Sequence, residues 1–275
     1  MSSVKYKYAS LEDYLLSLPL SVDGYLDDGW GTPFAVKGME TVAAVLFADM
    51  TSFSRRTFEL TPTETLIYVN NFFAWITAEA LRDRPGIVDK YIGDEIMIVF
   101  SQDFGSNDPF LDAIQTARWI AENDVLSFCP RIGIAGGEVT IGFVGTPIKY
   151  DCSVFGKPVT LASRCAAVKP EARGSSSIIF PAEHWEGRSF AEVFPPRRDR
   201  LPDGKVQDRA LLWSELEPRK VPMKNLPDIE IVEIEKIGVH LPALSAEDRT
   251  RENVRLLKEQ GMYRPRPISV AQARV

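Results

Sequence analysis

The chain has 275 residues, 45% of them hydrophobic and 25% charged, the composition of a globular domain with appendages. A net charge of −6 argues against nucleic acid as a partner, and apolar runs such as "VAAVLFA" (residues 42–48) fall far short of the roughly 20 residues a membrane helix needs. Three cysteines (Cys129, Cys152, Cys165) suit no disulfide framework, and "MSSVKYKYAS" lacks the apolar core of a secretory signal, so a cytoplasmic protein is expected.

Residues 1–40 read as an N-terminal extension, with a short amphipathic segment "SLEDYLLSLPL" and a Gly/Asp-rich connection. The strand "VAAVLFAD" is apolar throughout, as a strand buried on both faces would be. A helix begins at Thr61, with Pro62 in the first position and Glu64 completing a capping box. Leu66, Val69, Phe72, Phe73, Ile76 and Ala80 recur at helical spacing and define its expected core face.

The hairpin "VDKYIGDEIMIVF" (88–100) follows, then a helix around "DPFLDAIQTARWIAEND" and a strand pair "PRIGIAGGEVTIGFVG" expected to turn at Gly136-Gly137. After "KYDCSVFG" come a helix "KPVTLASRCAAVK" and a strand "GSSSIIF". This order predicts an α/β (α+β) ferredoxin-like βαββαβ sandwich over residues 41–217, closed by a last strand "VQDRALLWSEL". Residues 218–275 read as a C-terminal extension with a short helix "AEDRTRENVRLLKEQ" and a basic tail containing "RPRP".

Gly-Asp is ordinary hairpin punctuation, but Asp94 has a counterpart. Asp49 ends the buried strand "VAAVLFAD", where a carboxylate is costly unless paired. If the hairpin neighbours that strand, two carboxylates meet at one sheet edge, and a divalent cation would relieve their repulsion. The following "MTSFS" starts a helix whose free N–H groups suit a phosphate. The combination points to a site for a metal-bound nucleoside triphosphate.

The stretches "VLFADMTSFS", "VDKYIGDEIMIVF", "RIGIAGGEVTIGFVG" and "FGKPVTLASR" together resemble the class III nucleotide cyclases, in family order and near family spacing, from about residue 42 to residue 180. The resemblance implies a homodimer with shared sites that converts a nucleoside triphosphate to a 3′,5′-cyclic monophosphate and pyrophosphate, with two Mn²⁺ or Mg²⁺ ions per site. It assigns Asp49, Asp94 and the Met50 carbonyl to metal, and Thr51, Ser52, Phe53 and Ser54 to the phosphate-binding turn. Arg131 is assigned to phosphate, and Arg164 to charge on the α-phosphate, where guanidinium geometry fits. Lys90 and Ser153 fall on the base-recognition positions.

Three features depart from the family pattern. Thr160 stands where Asn is usual, Ser52 where Gly is common, and Lys90/Ser153 most resembles the Lys/Thr subgroup of adenylyl cyclases. Serine donates or accepts, so adenine, cytosine and uracil all stay open, with guanine least suited. The layout and the variable base-pocket residues resemble the pyrimidine cyclases of bacterial Pycsar anti-phage systems, implying cyclic UMP ahead of cyclic CMP, read by a downstream effector. The alternatives are an adenylate cyclase and a non-catalytic cyclase-homology module that binds nucleotide.

Overall fold

One 17-residue strand organises the fold. The computed structural model describes residues 7–27, 33–80, 84–124, 126–146, 149–169, 176–196, 198–200, 206–208, 212–237 and 245–261. Helix α1 (Leu11–Leu16) and strand β1 (Val22–Asp27) precede the long β2 (Pro33–Asp49). Helices α2 (Phe53–Thr57) and α3 (Pro62–Ala80) lead to the hairpin β3 (Gly86–Ile92) and β4 (Glu95–Ser101). Next come α4 (Pro109–Glu122), β5 (Arg131–Thr146), β6 (Lys149–Phe155), α5 (Lys157–Ala166) and β7 (Ser177–Pro181). The remaining elements are α6 (Phe190–Val193), β8 (Arg198–Arg200), β9 (Val206–Asp208), β10 (Trp213–Glu215), β11 (Arg219–Val221), β12 (Ile229–Lys236) and α7 (Ala246–Gln260).

The main sheet runs β10-β12-β7-β5-β2-β4-β3, with β2 held antiparallel between β4 and β5. Segment β2-α3-β3-β4-α4-β5 is the expected ferredoxin-like unit. Its central strand is apolar at every position from Val42 to Ala48 because both faces carry layers. Ala44, Leu46 and Ala48 pack with α3 and α4; Ala43, Val45 and Phe47 pack on the opposite side with α1 and α5. The capping box of α3 forms as read: Glu64 Oε2 accepts from the Thr61 N–H at 3.0 Å, and Thr61 Oγ1 accepts from the Glu64 N–H at 3.3 Å.

Four expectations need correction. First, β2 begins at Pro33, so its outer half pairs with β1 and the sheet already includes part of residues 1–40. Second, Gly136-Gly137 is no turn. β5 runs unbroken because β2 pairs with it continuously from Asp49↔Arg131 to Gly38↔Gly142. Gly137 instead adopts φ +143, and a Cβ there would stand 3.2 Å from Pro158 Cγ, so the glycine admits the start of α5.

Third, "VQDRALLWSEL" is two short strands, and the sheet does not end there: β12 inserts between β10 and β7. Residues 209–211 of that segment, like the "RPRP" tail, lie outside the described residues. Fourth, Leu66 is 61% exposed, and Tyr68 and Trp75 fill the α3 core face beside Phe72 and Ile76; the Ala80 side chain is outside the described residues.

The C-terminal helix α7 is part of the same body. Val254 joins the core beneath α3, and Asn253 Nδ2 donates to the Leu126 carbonyl at 2.6 Å. None of the three cysteines is in a disulfide.

Candidate active site

Strand alternation decides which residues share the site. On β2 the odd-numbered residues Val45 and Phe47 face the α5 side of the sheet, and Asp49 continues that row. Its ladder partners are Glu95 on β4 and Arg131 on β5. A carboxylate, a second carboxylate and a guanidinium thus stand side by side across three strands. Asp94 joins them from the turn between β3 and β4, which Gly93 makes at φ +63.

The electrostatics are those of too many acids in one place. Arg131 Nη2 is ion-paired with Asp49 Oδ2. Asp94 stands beside Asp49, and burial, followed by the Asp49 charge, pushes it up to about 6. Burial also raises Glu95, with Asp49 and Asp94 adding to it, to about 7. One guanidinium does not balance three acids, and all-oxygen donors suit a hard divalent cation. The residues present therefore fit the implied metal. Among the described residues no three His, Cys, Asp or Glu side chains form a closed metal cage. A two-aspartate set of this kind leaves coordination positions to waters and substrate phosphates.

Beyond Asp49 the Met50 side chain is buried in the core under α3, which fixes the strand end. Thr51 Oγ1 donates to the Cys129 carbonyl, and the Thr51 carbonyl accepts from Arg56. Ser52 sits at φ +59, ψ +35, the left-handed region that disfavours every residue with a Cβ. The first bond of α2 runs from the Arg56 N–H to the Ser52 carbonyl, leaving the N–H groups of Phe53 and Ser54 without an acceptor inside the helix. Phe53 packs against the core and Ser54 is exposed. The turn read from the sequence is thus anchored on both sides of a strained residue.

Lys90 and Ser153, the pair expected to recognise the base, are brought together by a bulge. Val88 pairs with Ile98, but Lys90 pairs with Met97, so Asp89 is an extra residue in β3. Without it Lys90 would oppose Ile96 and point to the α3 side; with it Lys90 faces the side that carries Asp49 and α5. Its Nζ donates to Ser153 Oγ at 2.5 Å, joining β3 to β6. Asp89, which sequence reasoning passed over, completes the group: its Oδ2 accepts from Ser153 Oγ at 3.3 Å and lies 3.4 Å from Lys90 Nζ.

Thr160 and Arg164 stand one turn apart on α5. The helix lies almost on β5: a Cβ at Gly133 would meet the Ala162 carbonyl oxygen at 2.0 Å and the Ala166 nitrogen at 2.2 Å. Thr160 is exposed, and Arg164 Nε is buried with no hydrogen-bond partner among the described residues. One copy of the chain joins Asp49, Asp94 and Arg131, and separately Lys90 and Ser153. It shows no hydrogen bond or ion pair among the described residues from Arg164 to Asp49 or Asp94. Arg56 was the other residue missed. No sequence pattern marks it, since its role depends on the fold of the Thr51 turn.

Residues 35–173 match the family of adenylate and guanylate cyclase catalytic domains. An uncharacterised protein of Mycobacterium tuberculosis is 33% identical over 131 residues, 46% of this chain and 23% of that protein, and a second from the same organism is 29% identical over 130 residues. The chain therefore spans about a quarter of the length of these curated relatives. Among solved structures, the adenylyl cyclase CyaB from P. aeruginosa superposes with TM-score 0.56 at 18% identity, covering 74% of this chain and 99% of that one. The guanylyl cyclase Cya2 gives 0.52 at 19% identity, covering 76% and 99%. At these identities the likeness is one of fold.

Proposed function

This chain belongs to the adenylate and guanylate cyclase catalytic-domain family, and on that premise we propose that it cyclises a nucleoside triphosphate at a site shared by two copies. The ribose 3′-oxygen bonds to the α-phosphorus as the bond to the β-phosphate oxygen breaks, releasing pyrophosphate. Divalent cations held by Asp49, Asp94 and the Met50 carbonyl would acidify the 3′-hydroxyl and offset phosphate charge. Thr51 to Ser54 and Arg131 bind the phosphates; Arg164 and Thr160 of the second copy donate to the oxygens where charge builds up. Lys90 and Ser153 of that copy hold the base.

The observation that carries the reading is the Asp49/Asp94 pair, two carboxylates at one sheet edge where burial and the Asp49 charge raise the proton affinity of Asp94. A bound divalent cation would relieve the repulsion between them and hold both ionised. For the base we propose uracil first and cytosine second, giving cyclic UMP or cyclic CMP, because the Lys90 ammonium suits a carbonyl. A second messenger read by a cyclic-nucleotide effector in anti-phage defence goes with that product. Adenine is the second reading, favoured by the Lys90–Ser153 contact itself, which offers the donor that a ring nitrogen accepts.

The test is pyrophosphate release with Mn²⁺ by the wild type and by Asp94→Ala. Release should disappear in the variant while its thermal unfolding stays cooperative. Release that survives the substitution removes the aspartates from the mechanism.

A further inference from the structure

Asp89 is a carboxylate placed where none is needed for folding. Its side chain is 1% exposed, and its Oδ1 is buried with no hydrogen-bond partner among the described residues. A buried carboxylate oxygen left so is destabilising, and its retention calls for a use. Burial pushes the group up from the usual carboxylate range; Lys90 and Ser153 oppose that rise, and Asp151 adds to it. Among the described residues, its Oδ2 engages the two read as recognising the base.

We propose that Asp89 is a positioning residue that sets the hydrogen-bond polarity of the base pocket. Ser153 has one hydroxyl proton, and Asp89 takes it. Lys90 donates to the same Ser153 oxygen, which keeps one lone pair, and the ammonium, also turned toward Asp89 Oδ2, keeps one further proton. The pocket therefore presents an N–H donor beside an oxygen acceptor, and the ambiguity of serine is removed. The fitting substrate carries an acceptor next to an N–H donor on its base edge. All four bases carry such a pair, uracil and guanine as a carbonyl oxygen beside a ring N–H, adenine and cytosine as a ring nitrogen beside an amino group; the two sets present donor and acceptor in opposite order, so a pocket of fixed polarity discriminates between the sets. The β3 bulge is what brings Asp89 and Lys90 to Ser153 together, since a regular strand would send them to opposite faces.

This inference rests on the cyclase reading only for the identity of the ligand, and its test separates the two. Dissociation constants are measured for the 3′-deoxy triphosphates of uracil, cytosine, adenine and guanine, which lack the nucleophile, alongside turnover of the normal triphosphates. In Asp89→Leu the freed Ser153 proton should change the affinity ratio between uracil and its opposite-order pyrimidine, cytosine, by about tenfold, without lowering the melting temperature. Asp89→Asn, which keeps an acceptor oxygen, should restore part of that ratio. Adding Ser153→Ala to Asp89→Leu should cost little more, because Asp89 acts through Ser153. Ratios within about twofold of wild type in every variant that folds, or losses that simply add, overturn the proposal. A wild type that binds a triphosphate with base preference but forms no cyclic product refutes the cyclase reading, while the binding ratios still judge Asp89.

Discussion

The Arg56 guanidinium is tied to the backbone of the turn that follows Asp49: its Nε donates to the Thr51 carbonyl at 2.7 Å. Arg56 is 5% exposed, its Nη1 reaches Tyr68 Oη at 3.4 Å, and Tyr68 Oη lies 3.4 Å from Thr250 Oγ1 on α7. The turn after Asp49, the helix behind it and the C-terminal helix are thereby one connected unit. Arg55 on α2 adds an ion pair to Glu247 on α7, but its side chain is 72% exposed and contributes little.

Arg56→Met should therefore loosen the turn and the α7 contact together. A buried charge-assisted hydrogen bond of this kind contributes about 2 kcal/mol, so denaturant unfolding should show a loss of that size. On the proposed phosphate-binding role of the turn, which would act in ground and transition states alike, the KM for the triphosphate should rise more than kcat falls. An unchanged KM would mean that the turn keeps its shape unaided.

Ser52→Gly should stabilise the protein. Ser52 holds φ +59, where a Cβ costs about 1–2 kcal/mol. Glycine removes that cost but gives the unfolded chain more freedom, worth about 0.4–1 kcal/mol in the other direction. The net expectation is a gain of up to about 1 kcal/mol in denaturant unfolding. Lower stability would show that the serine hydroxyl does more than tolerate its place.

The order of strands and helices was legible because its signals are local: the capping box at Thr61 and Glu64, and the wholly apolar run of β2. What failed depended on distant partners. Gly136-Gly137 has the composition of a turn, and only continuous pairing with β2 keeps it extended. β12 reads "IEIVEIEK", with acids in a charge-rich stretch, yet Glu233 is buried against Arg219 of β11 at 2.5 Å and the strand enters the sheet. In the site, Asp49, Asp94, Lys90 and Ser153 were named from their motifs. Asp89 was not, because its role comes from a bulge defined by pairing with β4.

Acid should destabilise the fold through His184. Its Nε2 accepts the Gly136 N–H at 3.1 Å, so the bonded ring is neutral, and burial holds its pKa below the ordinary histidine value. The unfolded chain then binds the proton more readily than the folded one. The stability is fully present above the unfolded pKa of about 6.5 and is lost as pH falls through the lower folded value. Stability measured from pH 7 downward should drop over that window, and His184→Gln should flatten that part of the curve. A variant with the same pH slope as wild type would place the acid sensitivity elsewhere.

Two inactive variants should restore each other. If metal ligands come from one copy and Arg164 from the other, a mixed Asp94→Ala and Arg164→Ala dimer rebuilds one of its two sites. Mixing at equal concentration should return about a quarter of wild-type activity per chain, since about half the dimers are mixed. No recovery after confirmed subunit exchange would contradict a shared site.

The central claim, that this chain is a nucleotide cyclase, meets its most direct test in a competition among substrates. The protein is incubated with equimolar ATP, GTP, CTP and UTP plus Mn²⁺, and products are identified by mass. The account predicts one dominant 3′,5′-cyclic nucleotide, cyclic UMP, with an equal amount of pyrophosphate. Recovery of all four triphosphates uncyclised would contradict it.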